Sequence, residues 1–192
     1  MSRLPPQTRD ELSSSQQDAH DELSSISQQA FGPSGSKFFY KDDDGRFIGP
    51  YPFFLAAPEP GLSAMRHALM LGKLPLPPDA KETAILTCGA HFKAPYELYA
   101  HENVAKTTTL SEQQIESIKG DNKPADLNDQ CSIAFDVSQY LCNKPGRLPQ
   151  DLWDRSVQTL GRDGTVALIH YVGFYAYLCI ALNAADVPVP QT

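Results

Sequence analysis

No Cys-x-x-C pair occurs in the 192-residue chain, and its four cysteines stand apart at positions 88, 131, 142 and 179. That spacing provides neither the ligand set of a structural zinc site nor the framework of a disulfide-stapled secreted domain. Reduced thiols are expected, serving as small apolar side chains. Basic residues are few, 16 Lys and Arg against 23 Asp and Glu, which leaves a net charge of -7 and a pI near 5.1. They are scattered along the chain, so neither a nucleic acid nor a membrane surface is expected as a partner. No uninterrupted apolar run approaches the roughly 18 residues of a spanning helix. The opening Met1-Ser2-Arg3-Leu4-Pro5-Pro6 leads into polar sequence without the apolar stretch of a signal peptide, and a cytoplasmic location is the expectation.

What is present is helical patterning. A chain of this length reads most simply as one domain. Residues 1–40 are expected to form an N-terminal amphipathic helix and linker, and 41–192 the main domain. Leu12, Ala19, Leu23, Ile26 and Ala30 recur at helical spacing over 8–30, as a thin stripe for packing on the domain or on another subunit. Gly32-Pro33-Ser34-Gly35-Ser36 breaks that helix. Asp42-Asp43-Asp44-Gly45 invites a calcium-loop reading, but the alternating ligands and closing Glu are missing, and a solvated turn is preferred. The aromatic stretch from Phe47 to Leu55 is expected to run over a pocket mouth or an interface. Further helices are predicted from Leu62 to Gly72, Pro78 to His91, Tyr96 to Thr108, Ser111 to Gly120, Asn128 to Asn143 and Pro149 to Leu160. The last, Asp163 to Ala185, is apolar enough to be the central core helix. Nothing alternates with period two, so the fold class is all-α.

The chemistry concentrates in one stretch, 81–102. Glu97 and His101 lie at i and i+4, on one helical face. Glu82 precedes His101 by nineteen residues, and a hairpin around Phe92-Lys93-Ala94-Pro95 would bring it to the same imidazole. A carboxylate on one ring nitrogen fixes the tautomer and raises basicity, leaving the other nitrogen for a substrate. The remaining histidines are less telling. His91 ends an apolar run as a helix-terminal cation would. His170 reads as a core histidine, and His20 and His67 carry no pattern.

The pieces Asp44-Gly45-Arg46-Phe47-Ile48-Gly49-Pro50, Lys81-Glu82-Thr83-Ala84-Ile85-Leu86, Tyr96-Glu97-Leu98-Tyr99-Ala100-His101-Glu102, Val172-Gly173-Phe174-Tyr175 and Leu182-Asn183 together resemble the carboxymuconolactone decarboxylase-like family. The resemblance runs from about 45 to 187. Its other branch, the AhpD-like alkylhydroperoxidase accessory proteins, is similar in carrying a Glu, a C-x-x-C pair and a His. On that pattern Glu82 and His101 match, while the two thiol positions fall on Ala94 and Glu97. Disulfide-based peroxidase chemistry is therefore disfavoured.

The resemblance to the decarboxylase branch implies an all-α helical bundle that assembles as a homo-oligomer, a trimer, a hexamer or a dimer. It further implies a cofactor-independent lyase, using no metal, that removes CO2 from a carboxylated lactone or related small cyclic acid. His101 would be the general acid/base, Glu97 its orienter or relay, and Glu82 a supporting carboxylate. Tyr96, His91 and Arg46 are the expected contacts for substrate oxygens. Phe47, Tyr51, Phe53 and Phe54 would line a dry pocket. Alternatives left open are an isomerase, dehydratase or cyclase acting on a polyketide-like lactone, and a non-enzymatic binding protein.

Overall fold

The computed structural model describes residues 2–36 and 38–190. The chain is all-α. Among the described residues there is no strand, only an isolated antiparallel bridge between Lys41 and Phe47. A short 3-10 helix at Arg9–Glu11 precedes eight α-helices among the described residues: α1 (Ser14–Phe31), α2 (Tyr51–Ala56), α3 (Pro58–Leu71), α4 (Pro78–Phe92), α5 (Pro95–Ala105), α6 (Glu112–Lys119), α7 (Asp129–Asn143) and α8 (Gln150–Ala184). Contacts divide them into two compact units, one of residues 1–73 with 181–192 and one of residues 74–180.

In the first unit α1 packs on α2 and α3. The helix expected from residue 8 is broken at Leu12, because Ser13 caps a new start with Gln16 in a capping box. Ala19, Leu23 and Ile26 face inward as the spacing requires. The stretch from Phe47 to Leu55 runs along a cavity, as expected, through Ile48, Gly49 and Pro52, but its large rings turn away from it. Most of it winds into α2, and Phe47, Tyr51 and Phe54 are only 1–2% exposed. Phe47 and Tyr51 stack with ring centroids 4.4 Å apart, and His20 meets Phe47 edge-on. Burying such large apolar rings stabilises the unit by roughly 2 kcal/mol each, more than a loop over water could return. Gly61 lets α2 and α3 close together, since a Cβ there would lie 2.4 Å from the Phe54 carbonyl oxygen.

In the second unit α4 packs against α5, α6 and α7. Residues 82–90 of α4 are all buried, which explains why its sequence shows no amphipathic stripe. Leu86 joins Leu110, Ile115, Ile118, Cys131 and Phe135 in one apolar cluster. Ser111 and Gln114 form the capping box of α6, and the Asn128 side chain accepts from the Cys131 amide to start α7.

The helix break expected between Leu160 and Asp163 falls at Gly161. Its φ of 73° and ψ of 170° interrupt an otherwise continuous α8. An 18-residue window of α8 has mean hydropathy 1.7, so by length and composition it could cross a bilayer, although no unbroken apolar run does so. The window is 56% buried inside the protein, as a core helix would be. The helix is not buried all round, however: Val166, Ile169, Tyr177 and Ile180 are exposed. His170, read as a core histidine, lies on that exposed side.

Candidate active site

The site is built by the α4–α5 hairpin. Lys93 adopts the left-handed conformation, φ 51°, and Ala94 is fully buried at the turn. Pro95 then starts α5 at the position where a missing N–H does no harm. Gly89 lets the two helices meet closely, because a Cβ there would come within 2.9 Å of Leu98 Cδ2 and 3.8 Å of Glu97 Cγ. Glu82 on α4 thus faces Glu97 and His101 on α5.

His101 lies between the two carboxyls. Its Nδ1 is 2.8 Å from Glu82 Oε2, a full hydrogen bond. Its Nε2 is 3.2 Å from Glu97 Oε1, within ion-pair range. That contact is not a hydrogen bond, and Glu97 Oε1 is left as a buried oxygen without a hydrogen-bond partner among the described residues. All three groups are shielded, with side-chain exposures of 13%, 9% and 5% for His101, Glu82 and Glu97. Both carboxyls converge on the ring, so the nitrogen expected to be left for a substrate, Nε2, has Glu97 Oε1 beside it.

Burial pushes the Glu97 carboxyl up to about 7, against the pull of His101 and with added repulsion from Glu82. For His101 burial acts in the opposite sense, but the Glu82 charge and hydrogen bond, with Glu97, outweigh it and the imidazole is raised. The Glu97 carboxyl is therefore held protonated up to about 7 beside an imidazole raised toward its cationic form.

Helix α8 adds two residues that motif reasoning had not assigned to the site. Tyr175 meets the His101 ring edge-on at 4.9 Å, and Tyr171 stacks parallel to Tyr175 at 6.0 Å. Burial, with repulsion from Glu82, holds the Tyr171 phenol up to about 12, and burial with both carboxylates raises that of Tyr175 well above its ordinary range. Both stay neutral donors. Their i, i+4 spacing matches that of Glu97 and His101, and this was the available signal. Lys81, beside Glu82, places its ammonium 5.7 Å over the Tyr171 ring.

The other expected contacts are placed differently. Tyr96 is buried edge-on to Tyr99, and His91 is half-buried edge-on to Phe92. Arg46, Phe47 and Tyr51 belong to the first unit. There Arg46 pairs with Asp42 and Asp44 at 2.8 Å, and the Tyr51 hydroxyl bonds Ser27 at 2.8 Å. Those side chains are engaged in their own unit's structure. Among the described residues no group of three or more His, Cys, Asp or Glu side chains is placed to hold a metal ion.

The class that fold and site define is an all-α protein with a buried carboxyl–imidazole–carboxyl array. No protein-family model matches the chain, and no curated protein matches it in sequence. Its fold is found in solved structures. The debrominase Bmp8, in its apo form, is similar over 98% of this chain and 92% of that chain, with a TM-score of 0.72 and 10% identity. A cysteine-to-alanine variant of Bmp8 in complex with 2,3,4-tribromopyrrole is similar over 98% and 91%, with a TM-score of 0.70 and 10% identity. At that identity the likeness shows a shared fold, one that an enzyme uses.

Proposed function

We propose that this chain is a carboxymuconolactone decarboxylase-like lyase that removes CO2 from a small carboxylated ring by acid–base catalysis at Glu82, His101 and Glu97. The observation that carries the reading is the buried Glu97 carboxyl, poised near 7 against an imidazole whose other nitrogen is held by Glu82. Loss of CO2 from a carboxylate set against a conjugated carbonyl leaves an enolate. The site must stabilise that charge and return one proton to carbon.

In this reading the three groups divide the labour. Glu82 accepts the hydrogen bond from Nδ1 and orients the ring. His101 in its cationic form offers positive charge to the enolate. Glu97, neutral on the acid side of about 7, is the proton donor and relay. Tyr175 and Tyr171 keep water from the ring, and Lys81 supplies the local cation that an anionic substrate requires in a chain of net charge -7. The bromopyrrole in the Bmp8 complex is itself a single small ring, which supports a substrate of that size.

The test is incubation with carboxymuconolactone, following CO2 release and the change in absorbance. The expected result is turnover that falls by about two to four orders of magnitude in His101→Ala and in Glu97→Gln, as loss of an acid–base group does. Lys81→Ala is expected to raise KM more than it lowers kcat. Full activity in both His101→Ala and Glu97→Gln would overturn the assignment. Turnover of other lactones that needs His101 would point to isomerisation or dehydration, and binding without turnover to a carrier role.

A further inference from the structure

Two thiols that the proposed acid–base chemistry does not use stand against one another in the second unit. Cys88 is on α4, next to Gly89, over which Glu97 packs. Cys142 is in the last turn of α7, the helix packed along α4. Their sulfurs are 3.7 Å apart and both are free. A disulfide needs about 2.05 Å between sulfurs, so closure demands a movement of roughly 1.7 Å. That movement is available at Cys142, because α7 ends one residue later and the chain leaves through irregular sequence to Gly146. Access is also unequal in a useful way. Cys142 is half-buried, whereas Cys88 is fully buried and its thiol lies 3.9 Å from the Val172 carbonyl.

We propose that Cys88 and Cys142 form an oxidation site, at which hydrogen peroxide converts the two thiols to an intramolecular disulfide joining α4 to α7. The Cys142 sulfur attacks one peroxide oxygen, the O–O bond breaks, and the departing hydroxide takes the thiol proton as water. The Cys142 sulfenic acid then meets the Cys88 sulfur. The S–S bond forms as the S–OH bond breaks, and the second hydroxide leaves with the Cys88 proton as a second water. The thiols lose two electrons and the peroxide gains them.

The chemistry of each sulfur fits its part. The hydrogen bond from Cys88 lowers the Cys142 thiol below its ordinary range, favouring the attacking thiolate. The same bond, with burial, holds Cys88 as a thiol until the sulfenic acid arrives. The inference does not depend on the decarboxylase reading, since it concerns sulfurs outside the Glu82–His101–Glu97 array.

The experiment treats the full chain with a few equivalents of hydrogen peroxide, alkylates remaining thiols in denaturant without reductant, and maps the peptides by mass. The free-thiol count is expected to fall from four to two, with a Cys88–Cys142 linked peptide that dithiothreitol reverses and with Cys131 and Cys179 alkylated. Cys142→Ser and Cys88→Ser should each abolish the linkage. Cys142→Ser, at a half-buried helix end, keeps the test decisive if Cys88→Ser does not fold. Unchanged thiols, a linkage through Cys131 or Cys179, a dimer joined at Cys142, or a Cys142 sulfinic acid without linkage would each overturn the proposal.

Discussion

Glu97 is the residue on which the proposed chemistry turns, and its energetics are open to a direct check. Its folded carboxyl holds a proton up to about 7, above the ordinary carboxylate value, because burial penalises the charge. The folded state therefore binds that proton more tightly than the unfolded chain does. The resulting stability is complete in acid, below the unfolded value, and is lost as pH rises through about 7. Raised His101 acts in the same sense. Glu97→Gln removes the Glu97 share. The variant is expected to match the wild type near pH 5 and to exceed it by about 2 kcal/mol at pH 8, read from urea unfolding at the two pH values. Equal stability differences at both would contradict the buried-acid picture. Sequence reasoning found Glu82, Glu97 and His101 because spacing alone confines two of them to one helix face. The roles it gave them, Glu97 as orienter or relay and Glu82 as support, came from the resemblance, and spacing could not show that Glu82 makes the 2.8 Å bond to the ring while Glu97 Oε1 is left without one. Arg46, an expected substrate contact on the resemblance, is seen to pair with Asp42 and Asp44, a contact that spacing did not reveal.

Among the elements, the α4–α5 hairpin was legible because Pro95 and the turn residues punctuate it. Helix α4 itself was harder to read, since an all-buried helix has no polar face to mark its orientation. The aromatic stretch at Phe47–Leu55 was legible only in part: Ile48, Gly49 and Pro52 line a cavity, while the rings expected beside them are buried. Hydrophobicity states that a segment must leave water but not what covers it, and here α2 folds those rings into its own unit. Gly161 illustrates a break fixed by backbone geometry. Its φ of 73° and ψ of 170° belong to a region that glycine alone adopts freely, and no neighbouring atom crowds the position. Gly161→Ala is accordingly expected to destabilise by about 1–3 kcal/mol through strain alone, measured by thermal or urea unfolding. A neutral or stabilising change would show that the break in α8 is not enforced by this residue.

For the molecule as a whole, fold class followed from what the chain does not contain: no period-two alternation, and helix caps and breakers at regular intervals. The all-α architecture shared with Bmp8 at 10% identity shows how little of a fold resides in residue identity once the apolar pattern is kept. The division into units of 1–73 with 181–192 and of 74–180 was not legible, because it depends on where the two ends of the chain return. The proposed chemistry is placed in the second unit, and its central element is a carboxyl kept protonated up to about 7. That claim is tested most directly by following the Glu97 side-chain carboxyl carbon by NMR from pH 4 to 9, without any substrate. The account predicts a midpoint near 7, moved by Glu82→Gln because Glu82 repels the ionised form. A midpoint near the ordinary 4.5, unmoved by that substitution, would contradict it.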